Sequence, residues 1–588
     1  MNRCSTKHFL LFLCFNLLIL TVPRPGAAAA DSALYLDGST HPDGLAHSNR
    51  PAEVVQEWFQ LPVLKYKPDN PVLRVRVKAN RETSLTGFLI GTEGTTRPED
   101  ISAIRIYYDR REKGGLQLDT KDKQVTLFGT VSGAGKKNRI PGRLRLPRGT
   151  HTFWVSFELS PSADLTHQIG VSCLRVSLGK TRIRPEAVGG QQPLRMGAAV
   201  RLHGQDGVHT SRIPGLATTN KGTLLAVFDA RHDSARDLQG DIDIGLHRST
   251  DGGNTWEPIR IAMDRGEWGG LPQKYNGISD ACILVDRNSD AIYLAGLWMH
   301  GVLDTEGNWV EGLTEADDEW NHQWRNRASQ PGFDVKQTSQ FLIVKSTDDG
   351  KTWGEPVNLT RMIKKPEWWL LAPAPGNGIT LEDGTLVFPT QGRNETGKPF
   401  SNITYSTDGG KTWVTSAPAT EAVQTATNEC AVVQLSDGSL MLNMRAGINR
   451  GNTGADNGRG IATTRDLGRT WQPHPGSFHA LPEPTCMASL YRHDYTENKE
   501  RKSVLVFSNP NSKEFRENIT IKLSPDDGDT WPRQYQVLLD EGRGRGYSCL
   551  TSVGREYIGI LYESSQADLV FQKIPLKELL EGSKPTNE

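Results

Sequence analysis

Short runs of alternating apolar and polar residues, broken by turn residues, fill most of this chain. In its first third they are Val72–Val77 (VLRVRV), Ser84–Ile90, Ile104–Tyr108, Gln124–Phe128 and Thr152–Leu159. A period of two with one apolar face predicts strands half-buried in a sheet, and several such strands separated by turns predict a β-sandwich. Lys180–Pro193, rich in Pro, Gly, Arg and Gln, reads as a linker. Beyond it the same alternation continues, now with a repeat. Ser249–Trp256 (STDGGNTW), Ser346–Trp353 (STDDGKTW), Ser406–Trp413 (STDGGKTW), Thr464–Trp471 (TRDLGRTW) and Ser524–Trp531 (SPDDGDTW) are copies of one box, with their Asp residues 97, 60, 58 and 60 positions apart. A period of this length signals a propeller or solenoid. The box itself has hairpin chemistry: Asp accepts backbone N–H groups of its own turn, Gly supplies a positive φ, and Trp packs across the hairpin. These aspartates are expected to shape turns, not to catalyse.

With each box placed between the third and fourth strands of a meander, the chain divides into blades. Blade one takes Ile213–Thr218, Thr223–Asp229, Asp243–Arg248 and Pro258–Ala262. Blade two takes Ala281–Val285, Ile292–Trp298, Phe341–Lys345 and Pro356–Leu359, with an insertion, His300–Gln337, that holds Trp309, Trp320 and Trp324. Blade three takes Gly378–Leu381, Thr385–Thr390, Asn402–Tyr405 and Val414–Ser416, and blade four Ala431–Leu435, Leu440–Arg445 and Gly460–Thr463. Blade five takes Ala488–Tyr491, Ser503–Phe507, Ile519–Leu523 and Tyr535–Leu538. A boxless sixth takes Ser548–Val553, Tyr557–Tyr562 and Leu569–Ile574, and Ala198–Leu202 is expected to supply its fourth strand and close the ring. The expected fold is therefore all-β: a six-bladed β-propeller with Asp-box repeats over residues 191–588, preceded by a jelly-roll-like β-sandwich over residues 31–190 that supports the propeller or binds carbohydrate.

Composition adds a leader and removes some partners. Arg3 and Lys7 precede the apolar run Phe9–Val22, and Ala27–Ala30 offers a small-residue cleavage site, so residues 1–30 read as a signal peptide. Export to a periplasm or out of the cell is expected, with no membrane span, since no apolar run is long enough. Sixty-eight Lys and Arg balance sixty-eight Asp and Glu, so no global field draws the chain to nucleic acid. Cys173, Cys282, Cys430, Cys486 and Cys549 remain after the leader, form no C-x-x-C pair, and read as buried free thiols. No His/Cys/Asp group has metal-ligand spacing, and no cofactor is expected.

Candidate chemistry collects at one end of the blades. Arg212, Asp280, Glu429 and Tyr547 precede first strands. Arg231, Arg445 and Glu563 end or follow second strands, Arg516 leads into a third strand, and Asp237 lies in the loop after strand two of blade one. Inner strands start near the axis, so these groups converge on one mouth of a rigid scaffold. A cluster of this kind also arises as a structural ion-pair network. Three guanidiniums make a multidentate cradle for a carboxylate, and carboxyl groups beside them are placed for acid and base work on the adjacent bond.

These features resemble a bacterial exo-α-sialidase (neuraminidase) of glycoside hydrolase family 33. The carrying motifs are the R-I-P of Arg212–Pro214, ARHDSARDLQGDID at Ala230–Asp243, NEC at Asn428–Cys430, NMR at Asn443–Arg445, RENIT at Arg516–Thr520 and GYSCL at Gly546–Leu550, together with the boxes. The resemblance implies that Arg212, Arg445 and Arg516 grip the carboxylate of sialic acid and that Glu563 orients Arg212. It implies Tyr547 as nucleophile with Glu429 as its base, Asp237 as acid and then base, and Arg231 and Asp280 on the O4 side of the sugar. Asp233 is a rival for the acid, but family spacing favours Asp237. A Tyr nucleophile is the known sialidase exception to the two-carboxylate rule. Partners implied are sialylated glycans, acted on by a monomer. Within enzymes, a trans-sialidase or an intramolecular trans-sialidase is the alternative; outside them, a non-catalytic glycan-binding propeller.

Overall fold

The computed structural model describes residues 52–111, 115–237, 240–270, 273–300, 329–335 and 337–582. The expected leader and Trp309, Trp320 and Trp324 lie outside the described residues. In the N-terminal part, two sheets face each other. One has the order Glu186–Val188, Ala52–Glu57, Asn70–Ala79, Gly149–Leu159, Ile101–Asp109, Val125–Ser132; the other runs Thr181–Ile183, Ser172–Leu178, Thr83–Gly91, Lys137–Leu146. The alternation explains the packing: Val75, Val77, Phe153 and Val155 of the first sheet and Phe88, Ile140 and Val176 of the second share one buried core, as two inner faces of a sandwich do.

Six four-stranded meanders follow. Blade one is Thr210–Thr218, Leu224–Arg231, Ile242–Ser249 and Arg260–Met263. Blade two is Asn276–Val285, Ile292–His300, Gln340–Ser346 and Val357–Asn358. Blade three centres on Leu386–Arg393 and Pro399–Ser406, with Val414–Thr415 outside. Its inner position is split between Leu370–Pro373 and Ile379–Thr380, both paired to Leu386–Arg393, where one strand was expected. Blade four is Thr427–Gln434, Leu440–Ala446, Gly460–Thr464 and Gln472–Pro473. Blade five is Ser489–Glu497, Glu500–Pro510, Ile519–Ser524 and Gln536–Asp540. Blade six is Ser548–Val553, Tyr557–Tyr562 and Leu569–Pro575, and Leu194–Arg201 pairs antiparallel to its third strand and closes the ring as expected. Closure removes sheet edges that would otherwise pair with other chains. Val63–Lys65, from the N-terminal part, adds to the closing strand in parallel. Lys65, fully buried, donates to the carbonyls of Ala163 and of Asn254 in the first box.

Each box is a turn, and it also sets the contact between neighbouring blades. Asp408 accepts from the Ser406 hydroxyl (2.8 Å), the Lys411 and Thr412 amides (3.0 and 2.9 Å) and the Thr412 hydroxyl (2.7 Å). Those donors, the Thr412 amide foremost, hold its carboxyl down to about 2. The same Thr contacts recur at Asp251, Asp348, Asp466 and Asp526. Leu467, standing where other boxes have Gly or Asp, takes the same left-handed turn at φ 55°. Two positions after each Asp comes a Gly at positive φ, and it lies against the preceding blade. A Cβ on Gly410 would stand 2.5 Å from the Tyr293 hydroxyl of blade two, and Gly253, Gly350, Gly468 and Gly528 similarly face Phe571, Leu225, Ser416 and Met441. The Trp does more than the expected packing across its own hairpin. Trp413 contacts Phe388 of its own blade and Tyr293 of blade two, and Trp256 packs on Phe571 of blade six. One motif thus builds the turn and the blade-to-blade wedge.

Two stability predictions follow from this packing. Trp413→Ala removes a fully buried wedge and is expected to cost about 3–5 kcal/mol, read as a lower urea midpoint at unchanged slope; an unchanged midpoint would show that the wedge carries no stability. His247 in blade one is buried on Phe228 with Nδ1 donating to the Glu257 carbonyl, and burial pushes its pKa down to about 4. The unfolded chain therefore binds this proton first as pH falls from about 6.5. Stability is expected to fall from pH 6.5 to 4 by about 3 kcal/mol at most, and His247→Gln should flatten a denaturation series over that window.

Candidate active site

The mouth opposite the boxes is built from bulged inner strands. Register breaks occur between Arg212 and Gly215 in blade one, Ser279 and Cys282 in blade two, and Thr427 and Cys430 in blade four. A bulge re-aims the side chains around it, and these three re-aim Arg212, Asp280 and Glu429. Ile213 and Asp280 sit at φ 59° and 58°, costly for a β-branched residue and held by the surrounding bonds. Tyr547 enters blade six after Gly546 at φ 89°. A Cβ there would meet Pro510 at 2.8 Å, and Arg516 and Cys486 at 3.1 Å, so glycine is what lets Arg516 approach the tyrosine.

Glu563, 1 % exposed, stands behind the site. It accepts from Arg212 Nε (2.9 Å) and Nη2 (3.3 Å) and from the backbone amides of Ile213 and Tyr547 (3.0 Å each). Burial works against its charge, but Arg212 outweighs that and holds its pKa below the usual value. The Arg212 and Arg516 guanidiniums lie 5.5 and 5.4 Å from the centroid of the Tyr547 ring. The Tyr547 hydroxyl donates to Glu429 Oε1 at 2.5 Å and accepts from Arg445 Nη1 at 3.0 Å, while Arg445 also pairs with Glu429 Oε2. Burial first, then the Glu429 charge, drive the phenol pKa well up. The resting hydroxyl is neutral, with its proton aimed at a carboxylate. Among the described residues, Arg516 bonds only the backbone carbonyls of Arg545 and Thr485, and no carboxylate neutralises it.

On the other side of the mouth, Asp229 is fully buried and organises two elements. It accepts from Arg231 Nη2 (2.8 Å), the Ser279 hydroxyl (2.6 Å) and the Asp280 amide (3.2 Å). Arg231, 1 % exposed, also donates to the Ala235 carbonyl and to Asp237 Oδ1. Arg231 is thus a buried cation that holds Asp237. Asp237, 66 % exposed, takes a second bond from Arg212 Nη1 at 3.3 Å. Its partial burial raises its proton affinity, but Arg231 and Arg212 outweigh that and lower its pKa. Asp280 is pushed well up, by burial first and then by Glu429 and Asp229, and accepts from the Gln391 amide at 3.1 Å.

Arg212, Asp237, Asp280, Glu429, Arg445, Arg516 and Tyr547 line one cavity of ≈ 240 Å³. Its far wall adds Leu297, Met299, Leu370, Gln391 and Arg393. Gln391 and Arg393 end the second strand of blade three, the position that Arg231 and Arg445 hold in blades one and four. Ending that strand at Thr390 hid them. Asp229 was missed too, although a lone charge in the apolar run Leu224–Ala230 marks it. A larger cleft of ≈ 490 Å³ opens where the sandwich meets blade five, but its Arg195 and Glu578 pair with each other and no acid–base set converges there. Outside the cavity, His232, Asp241 and Asp243 bring ligand atoms within 4.8 Å of one another. They flank the two sides of a hairpin, so no linear spacing announces them. His232 Nε2 lies 3.0 Å from Asp243, whose pKa burial raises to about 6. The five cysteines are free and buried.

Comparison with known proteins agrees with this geometry. A family model described as BNR repeat-like domain matches residues 213–537, and one described as the N-terminal domain of BNR-repeat neuraminidase matches residues 51–182. A sialidase of Bacteroides fragilis is 39 % identical over 541 residues, spanning 89 % of this chain and 94 % of that protein. A sialidase of Micromonospora viridifaciens is 31 % identical over 71 % of this chain and 58 % of its own length. The solved structure of the Hadza microbial sialidase Hz136 superposes with a TM-score of 0.77 at 35 % identity, covering 89 % of this chain and 99 % of that one. This chain belongs to the BNR-repeat sialidases and is a glycoside hydrolase of the exo-sialidase type.

Proposed function

We propose that this enzyme hydrolyses terminal α-linked sialic acid from glycans with net retention, through a covalent sialyl-tyrosine. The observation that carries the reading is the 2.5 Å bond from the Tyr547 hydroxyl to Glu429 beneath Arg212, Arg445 and Arg516. The anomeric carbon of a sialoside bears a carboxylate, so an anionic nucleophile is repelled, whereas a neutral phenol with an adjacent base is not. In the first step the Tyr547 oxygen bonds to C2 as its proton passes to Glu429, and the C2–O bond to the leaving sugar breaks as Asp237 protonates that oxygen. In the second, Asp237 takes a proton from water, water oxygen bonds to C2, and the tyrosine oxygen leaves and recovers its proton from Glu429. The carboxylates of Glu429 and Asp237 favour the oxocarbenium-like transition state. Arg231 acts through Asp237 as a positioning residue. Residues 1–30 make this an exported enzyme, and the sandwich braces blades one, five and six.

Two variants test the roles, and an NMR experiment tests the outcome. Tyr547→Phe is expected to lower turnover of a fluorogenic α-sialoside by about 10³-fold or more with an unchanged melting temperature; wild-type-like turnover would exclude the nucleophile role. Asp237→Ala should reduce kcat on sialyl-lactose by about 10²–10⁴-fold and far less on an aryl sialoside whose leaving group needs no proton. Equal losses on both would move the acid elsewhere. An NMR time course of the sialyl-lactose reaction reads the anomer first released and separates hydrolysis from transfer or anhydro-sugar formation.

A further inference from the structure

Next to the catalytic cavity lies a second one of ≈ 380 Å³, and Arg445 and Arg516 belong to the walls of both. Its other charged lining groups are Arg450, Lys513 and Glu514. Four cations therefore face one carboxylate in a space contiguous with the active site. Among the described residues, Arg450 makes no ion pair, and the Lys513 ammonium donates only to the Gly454 carbonyl. The Thr485 hydroxyl in the same wall has no hydrogen-bond partner. Arg445 is paired with Glu429, but a chain that folds for stability alone gains nothing by adding Arg450, Lys513 and Arg516 without carboxylate partners to the same concave surface, where like charges repel. A negatively charged, hydroxyl-bearing ligand group supplies what all three lack.

We propose that this cavity is an anionic subsite that receives a second carboxylate, carried by the sugar next to the one being cleaved. The substrate class so favoured is an oligosialic chain. The assignment rests on the sialidase reading above, which places the first carboxylate on the two arginines that the cavities share. A second carboxylate on the adjoining residue then meets Arg450 and Lys513, neither of which belongs to the catalytic set. Because these two groups stand at a hydrated rim, they act mainly on capture of the substrate and lose strength with salt.

The test compares kcat/KM for release of the first sialic acid from an α2,8-linked disialyl-lactose and from 3′-sialyl-lactose, in the wild-type enzyme and in the double variant Arg450→Gln, Lys513→Gln. The ratio of the two substrates is expected to fall about fivefold in the variant, through KM, with 3′-sialyl-lactose turnover unchanged. That unchanged turnover also reports that the variant is folded. Inorganic sulfate at constant ionic strength should slow the disialoside selectively in the wild type. A ratio that does not move overturns the proposal, and so does sulfate slowing both substrates alike with an unmoved ratio, which describes a cavity for free anions only. A wild type that cleaves neither substrate removes the sialidase reading itself, a distinct outcome.

Discussion

One buried carboxylate fixes the geometry of this molecule's working end. Glu563 accepts hydrogen bonds from the side chain of Arg212 and from the backbones of Ile213 and Tyr547, so a strand of blade one and a strand of blade six are tied at one point. A carboxylate in a dry environment is stable only when its acceptor sites are filled, and here four donors fill them. The arrangement couples ring closure to chemistry. The closing strand Leu194–Arg201 completes blade six, and its fully buried Arg201 donates to the Ser211 hydroxyl, the residue before Arg212. Asp568, just before the third strand of blade six, accepts the Ser211 amide. If the ring does not close, neither the arginine nor the tyrosine has a position.

The two ends of the blades divide the remaining tasks. At the box end, five near-identical turns seat a glycine against a neighbouring blade, and left-handed φ falls on Gly and Asp, with Leu467 the exception. At the mouth the inner strands are bulged, Ile213 and Asp280 hold left-handed φ values, and burial, with close-packed carboxylates second, drives Asp280 well up. Strain and like-charge crowding are tolerated where the surrounding structure over-determines the positions. The wedge at the box end and the brace of Val63–Lys65 on blade six supply that over-determination.

This division also explains what could be read from the sequence. The boxes repeat because their chemistry is local, Asp to Thr four residues on, so they announce both the turn and the blade count. The expected Arg, Glu and Tyr positions followed from placing strand ends, and Arg212, Glu429, Arg445, Arg516 and Tyr547 do meet in one cavity. Misses occurred where the meaning of a residue lies across blades. Gln391 and Arg393 depended on a strand end displaced by a few residues. The hold that Arg231 has on Asp229 and Asp237 is likewise not written in the sequence. In the sandwich, the strand Lys137–Leu146 carries Pro141 and Gly142, and its partner strand answers them with a bulge between Leu85 and Gly87, a common setting for such residues in sheets.

The charge balance of the pocket shows how it admits an anion. Glu563 neutralises Arg212, Glu429 neutralises Arg445, and Asp229 neutralises Arg231, which leaves Arg516 and Arg393 without a carboxylate partner among the described residues and Asp237 as the carboxylate shared by two arginines. A substrate carboxylate that bonds Arg516 and Arg445 must also contend with Asp237 for Arg212 Nη1. When it takes that donor, Asp237 loses one of the two cations that held its pKa down and acquires an anion nearby, and both changes raise its proton affinity. On the proposed mechanism, Asp237 then becomes an acid at the moment a leaving oxygen is present to be protonated. Under the proposed function, a ligand without the carboxylate leaves Asp237 clamped and ionised by Arg212 and Arg231, so Arg212, shared by the two sets, both meets the substrate carboxylate and withholds the acid.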